Sequence, residues 1–257
     1  MARSEFALLD TSSLLDTARH VFDLLKSDYR TDYVFRAAIA KKIFLGRHSP
    51  STTALLPELR VWRSRVDLLM LNGTSTAYEI KSGFDTTRRL AAQVADYLKM
   101  FDRVYVVTEE RLVGAVSKEL PDSIGIIVLT PDYTLRSVRG CVPNAERVDI
   151  AAIADALRKE ELCELTRRIC GRVPEVPSSR LFDDCLEALR RDARPKDVHD
   201  EAVKILKRRA VLGSEAFRDV EEALVPAFIE SGLHHSEWPT LTGILRRLTV
   251  GNLLGGL

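Results

Sequence analysis

The chain has 257 residues, 46% of them hydrophobic and 29% charged, which excludes a largely disordered chain and leaves room for one large domain or two small ones. Thirty-eight Lys and Arg against 37 Asp and Glu leave a formal charge of +1; this excludes indiscriminate polyanion binding driven by net charge, but not a local basic groove. No apolar run approaches the ~18 residues of a spanning helix, the first ten residues lack the apolar core of a secretory leader, and Cys141, Cys163, Cys170 and Cys185 contain no C-x-x-C pair. Reduced thiols in a cytoplasmic protein are therefore expected, with no zinc site and no membrane contact.

Taken in chain order, residues 6–48 predict helices: Leu14, Leu15, Ala18, Val21, Phe22 and Leu25 recur at helical spacing, and a second segment runs from Tyr33 to Leu45. Gly46 and Ser49 to Ser51 break the pattern. The period then shortens. Leu59 to Trp62 predicts a short strand, Val66 to Leu71 a stronger one, and Asn72-Gly73 a two-residue hairpin turn returning through Thr76 to Lys81. A helix over Thr86–Phe101 with the stripe Leu90, Val94, Leu98 and Phe101 follows, then a strand at Val104–Thr108, a helix at Glu109–Leu120 and a strand at Ile124–Leu129. A hairpin feeding a βαβ crossover makes a mixed sheet with helices on its faces. Beyond Val148 the pattern is helical, over Asp149–Cys170, Arg180–Arg191, Lys196–Arg209, Ser214–Ile229 and Thr240–Leu248, with His234 and His235 in a loop. The expected division is 1–57 as N-terminal helices packing on the core, 58–145 as the core, and 146–257 as a helical C-terminal region.

The chemistry is concentrated on the hairpin. Asp67 lies in an apolar strand, Glu79 and Lys81 share one face of its partner, and buried ionisable groups are expensive unless paired or bound to a metal. Two carboxylates with the Ile80 carbonyl make an all-oxygen donor set that suits Mg²⁺ or Mn²⁺. Such an ion activates water against a phosphodiester, with Lys81 beside it to orient the water or stabilise the charged phosphorus. Glu58 is a candidate third carboxylate. Gln93 and Tyr97, four apart, share a helix face that is expected to flank the apolar stripe and reach the site over the sheet edge, and Arg88 and Arg89 are candidate phosphate contacts. Arg65 closes a basic stretch, residues 30–66, that holds eight Lys or Arg against two acids immediately before Asp67. The cluster Lys204, Lys207, Arg208 and Arg209 reads as an ordinary charged helix face, and Trp62 and Trp238 as packing anchors.

Val66-Asp67, then Glu79-Ile80-Lys81, then Gln93-x-x-x-Tyr97 resembles the PD-(D/E)XK nuclease superfamily, the last element being similar to that of its RecB-type branch. The stretch from Glu79 through Ser82, Asp85, Arg89, Gln93 and Tyr97 to the Val-Val-Thr strand looks like small uncharacterised bacterial members, and Leu157 to Leu162 resembles a helical element that follows the core in some of them. Val66 stands where the name-giving Pro would be. The resemblance implies a restriction-endonuclease-like α/β fold and divalent-metal-dependent hydrolysis of nucleic acid, with DNA the expected polymer. Asp67 and Glu79 would be metal ligands, Lys81 catalytic, Gln93 and Tyr97 supporting, and Glu58 an accessory acid. The competing expectation is a catalytically inactive nuclease-fold protein that binds nucleic acid or a protein partner; a homodimer is compatible with either.

Overall fold

A computed structural model describes residues 12–49, 52–209, 220–233 and 235–254. The chain divides into two compact units: Thr52–Ala210, and a second made of residues 1–51 with 211–257. The boundaries expected at 57/58 and 145/146 are not the ones observed. The strand Ala54–Pro57 belongs to the sheet, and the helices up to Leu206 share its core. Alternating apolar runs had marked only the middle of the unit, because an edge strand and a helical cap carry no common period.

In the larger unit the strands are β1 (Ala54–Pro57), β2 (Arg60–Val61), β3 (Ser64–Arg65), β4 (Leu68–Leu71), β5 (Ser75–Lys81), β6 (Arg103–Thr108), β7 (Gly125–Leu129) and β8 (Leu135–Arg139). Six of them form one mixed sheet in the order β1-β4-β5-β6-β7-β8. The β1/β4, β4/β5 and β7/β8 pairs are antiparallel, and β5/β6 and β6/β7 are parallel. The two parallel steps need crossovers, made through helices Leu90–Leu98 and Val113–Glu119. The protein is thus a mixed α/β structure, as expected. Its central strands are buried on both faces, every residue of β4 and β7 among them, which explains their continuous apolar runs. The unexpected β8 is an exposed edge carrying Arg136 and Arg139; charge on an edge discourages pairing with other chains and hides the strand from an apolar-pattern reading.

Two helices are shorter than expected. Asp85 accepts from both the backbone N–H and the hydroxyl of Ser82, and this local turn competes with helix, so the helix begins at Leu90 rather than Thr86. The segment expected as one helix over Asp149–Cys170 is broken at Leu157 and Arg158 into Ile150–Ala156 and Lys159–Cys170, the second capped by Glu161, which reaches back to the Arg158 N–H. With Leu181–Asp192 and Pro195–Leu206 these helices bury Ile153, Leu162, Leu165, Leu189, Val198 and Ile205 in the same apolar core as the sheet.

The second unit contains Leu14–Asp28, Asp32–Ala38, a π-helical turn at Ile39–Phe44, and the helices Val225–Ser231 and Trp238–Arg247. Within it Arg36, 4% exposed, is ion-paired to Asp32 and Glu230. Of the helix expected at Ser214–Ile229, residues 214–219 lie outside the described residues, as do Pro50, Ser51 and His234; His235 opens a 3₁₀ turn. The four cysteines are free thiols, Cys185 buried and the others half-buried. No helix among the described residues is long and apolar enough to cross a membrane.

Candidate active site

The site is built by strand register. The last pair of the β4/β5 hairpin is Leu71 with Ser75, so its loop has three residues, Asn72 to Thr74, rather than the expected two. Gly73 is the residue with positive φ, +70°. The register runs Leu71 to Ser75, Leu68 to Tyr78, and continued by one step it sets Asp67 across from Glu79. Opposed residues on one face have Cβ atoms about 5 Å apart. A loop one residue shorter between the same strands would set Tyr78 against Asp67 and turn Glu79 to the other face.

Asp67 is not inside the strand, as expected, but at the bend just before β4. There its Oδ2 accepts from the Ile80 N–H at 2.6 Å, a side chain standing in for a ladder carbonyl. Ile80 therefore contributes an N–H to the site, beside the carbonyl expected of it. Glu79 is 1% exposed. Its Oε1 accepts from Lys81 Nζ at 2.7 Å and its Oε2 from the Tyr97 hydroxyl at 2.6 Å. That hydroxyl also lies 2.8 Å from the Arg65 carbonyl. Burial, and then the charge of Glu79, push the Tyr97 hydroxyl well above the ordinary tyrosine value, so it remains a donor. Tyr97 is not at the margin of the helix stripe but in its centre, fully buried, while Leu98 is half-buried.

The remaining expected residues are placed around this cluster. Glu58 follows β1 and faces Asp67 on the opposite side, its N–H donating to the Asp67 carbonyl at 3.3 Å. Its φ is +53°, which takes it out of strand alternation, and its carboxylate pairs with Arg65 at 2.9 Å. Among the described residues no group of three or more His, Cys, Asp or Glu stands ready to hold a metal. Gln93 lines a groove of about 840 Å³ together with Asp67, Arg65 and Arg89, and its Oε1 is buried without a hydrogen-bond partner. Arg88 is exposed beside that groove but is not part of its lining. Of the basic stretch before Asp67, only Arg60, Arg63 and Arg65 belong to the unit that holds the site. The groove residues Trp62, Arg63, Asp96 and Lys99 were not singled out as site residues from sequence: Trp62-Arg63 is a turn with no turn-forming residue.

The expected charged helix face at Lys204 to Arg209 is one only at Lys204: the helix ends at Leu206, and Lys207–Arg209 form a 3₁₀ turn. Lys204 pairs with Glu201, Arg208 with Glu164 and Arg209 with Glu161, and Lys207 donates to the Thr52 carbonyl. A second constellation has the connectivity of a hydrolase triad: Ser75 Oγ lies 2.7 Å from His199 Nε2, and His199 Nδ1 2.9 Å from Asp200. Ser75 and His199 are each 2% exposed, and the cavity beside them holds about 10 Å³. No substrate fits there, and Ser75 Oγ also accepts from the Asp102 N–H. The group is a buried polar pin between helix and sheet.

Residues 25–223 match the family model described as Bacteriophage P4 protein cII. The chain is 28% identical over 152 residues to protein cII of Enterobacteria phage P4, an alignment covering 58% of this chain and 55% of that protein, so the chain spans about half the length of the curated relative it matches. A solved structure, a protein of unknown function from Silicibacter pomeroyi, is 19% identical and covers 42% of this chain and 68% of that one with a TM-score of 0.33, too low to establish a shared fold. None of the three descriptions names an activity, ligand or partner.

Proposed function

Given that the chain belongs to the bacteriophage P4 protein cII family, we propose that it is a divalent-metal-dependent nuclease with a restriction-endonuclease-like PD-(D/E)XK core, hydrolysing phosphodiester bonds in nucleic acid, DNA in the first instance. The observation that carries this reading is the juxtaposition of Asp67, Glu79 and Lys81 at the carboxyl end of β5, with Tyr97 beneath Glu79. Asp67 and Glu79 are hard donors on one side of one hairpin and fit a cation that keeps most of its water; Mg²⁺ is commonly held by one or two carboxylates. Glu58, turned to Arg65, is not needed for such a set. When bound, the ion supplies Lewis-acid charge and lowers the pKa of a coordinated water. The Ile80 N–H orients the Asp67 carboxylate, the Tyr97 hydroxyl orients Glu79, and Lys81 changes partner from Glu79 to the water or phosphate oxygen. Arg65, Arg88 and Arg89 neutralise the approaching backbone.

The test compares Mg²⁺- or Mn²⁺-dependent cleavage of plasmid, linear duplex and single-stranded DNA by wild type, Asp67→Ala and Lys81→Ala. Turnover should fall at least ~100-fold in each variant, the scale of losing a charged group aimed at the transition state. Lys81→Ala, which strips buried Glu79 of one donor, should also melt earlier, so its turnover is compared at a temperature where both variants are folded. Absence of metal-dependent cleavage by pure wild type on every substrate would overturn the enzyme reading. One observation favours the alternative, a non-catalytic nuclease-like protein binding nucleic acid or a partner. Both oxygens of the buried Glu79 are satisfied by protein donors, as in a structural ion pair. Isothermal titration with Mn²⁺ separates the two: a catalytic pair takes up the ion and loses it in Asp67→Ala.

A further inference from the structure

The strands β1 and β2 on one side and β3 and β4 on the other are one hairpin. Ala54 pairs with Leu71 and Pro57 with Leu68. The same register resumes with Arg60 opposite Arg65 and Val61 opposite Ser64. Between these stretches, where Glu58 takes its left-handed conformation, the Leu59 carbonyl still accepts from the Val66 N–H. The ribbon turns at Trp62-Arg63. Asp67 lies five residues from Trp62, at most about 17 Å away, and both line the same groove.

Three features of the tip do not follow from folding. Trp62 has φ +52°, a conformation that Gly, Asn or Asp adopts at lower cost in a two-residue turn. Nor is the indole packed away in the core: Trp62 is 39% exposed. The ring is nonetheless held in place. Ser64 donates to Asp96, Asp96 pairs with Lys99, and the Lys99 ammonium sits 4.7 Å from the centre of the indole. Finally, the ribbon segment Arg60–Arg65 carries three arginines and no acid. Arg63 and Arg89, which both line the groove, are exposed with no ion pair among the described residues. An exposed but fixed aromatic ring flanked by cations is the construction that holds an unpaired nucleotide: the ring stacks a base and the cations neutralise its phosphates. A base inside a duplex offers only its edges, so its face reaches the indole only when the strand is unpaired.

We infer that the Trp62 tip is a base-stacking platform and that the groove takes single-stranded or locally unpaired nucleic acid. This rests on the proposed nucleic-acid function of the same site and names its substrate class, with binding separable from cleavage. The full chain is titrated in EDTA with a labelled mixed-sequence single-stranded DNA oligonucleotide and with its duplex, following anisotropy and tryptophan emission. Trp238 is 1% exposed, so emission changes report Trp62. The single strand should bind at least about tenfold tighter than duplex and quench emission. Trp62→Ala should lose about tenfold or more of single-strand affinity, the scale of one stacked base, while Trp62→Phe keeps most of it. Arg63→Ala should flatten the salt dependence.

Equal affinity for duplex and single strand, or a Trp62→Ala protein that binds the single strand like wild type, would overturn the platform. If wild type binds single strands through Trp62 but cleaves nothing with Mg²⁺ or Mn²⁺, the nuclease reading falls and this one stands. Cleavage of single strands undiminished in Trp62→Ala would give the reverse.

Discussion

Glu79 shows how much a single buried carboxylate depends on its neighbours. At 1% exposure its charge is supportable only because Lys81 and Tyr97 each supply a donor. Tyr97→Phe removes one of them and also strips the Arg65 carbonyl of its partner. The expected cost is about 1–3 kcal/mol, the penalty for a buried acceptor left unsatisfied, read from urea denaturation. If Glu79 also works in catalysis, kcat falls while KM holds. The pairing of Glu79 with Lys81 was legible from sequence, because period-2 alternation puts i and i+2 on one face. The burial of Tyr97 was not: a 3.6-residue period leaves Tyr97 and Leu98 as equal candidates for the stripe centre, and the polar hydroxyl argues wrongly for the edge. Only the presence of Glu79 beneath the helix decides in favour of Tyr97.

The β4/β5 hairpin is the element on which the site depends. Its three-residue loop needs one residue with positive φ, and Gly73 supplies it at +70°, with open space where a Cβ would stand. Gly73→Ala is therefore a pure backbone test and should lower stability by about 1 kcal/mol. Gly114→Ala, at an exposed and equally open position in the helix Val113–Glu119, should raise it by about 0.5 kcal/mol. Opposite shifts in urea midpoint with unchanged m-values check both. Asn72-Gly73 correctly signalled a turn from sequence, but turn propensity does not fix loop length. The third residue is retained because Thr74 donates to Asp102, 28 positions away, at 2.8 Å. Of the ribbon ending at Trp62, the outgoing strand was legible at Leu59–Trp62 and is found as β2, but its turn and return strand were not, for a related reason. Its turn is stabilised by Asp96, which accepts from Ser64 at the turn's end, and by Lys99, both from the helix region far along the chain.

For the larger unit as a whole, Asp102 is the polar junction that ties β5, β6 and the segment after β8 together. Burial opposes its ionisation, but the N–H of Ala145, the Thr74 hydroxyl and the N–H of Asn144 outweigh it and hold the carboxyl below its ordinary value. A carboxyl depressed in the fold contributes stability that is present above the ordinary carboxylate range and is lost as pH falls through the folded value. Unfolding free energy measured between pH 7 and pH 3 should decline at the acid end. Asp102→Asn should be less stable at pH 7 and should lose part of that decline. A variant with the same acid slope as wild type would show that other carboxylates carry it.

From the sequence alone follow the mixed α/β class, the shared face of Glu79 and Lys81 and the gathering of three ionisable residues on one hairpin. All of these rest on local periodicity and composition. Tertiary structure alone decided that Asp67 accepts from the Ile80 N–H, that Glu58 turns to Arg65, that Ser75 and His199 are sealed rather than reactive, and that Trp62 is held exposed. Each of these depends on register, a positive φ or a partner far along the chain. A one-residue change in any connection would alter them while leaving the local pattern of the sequence as it is.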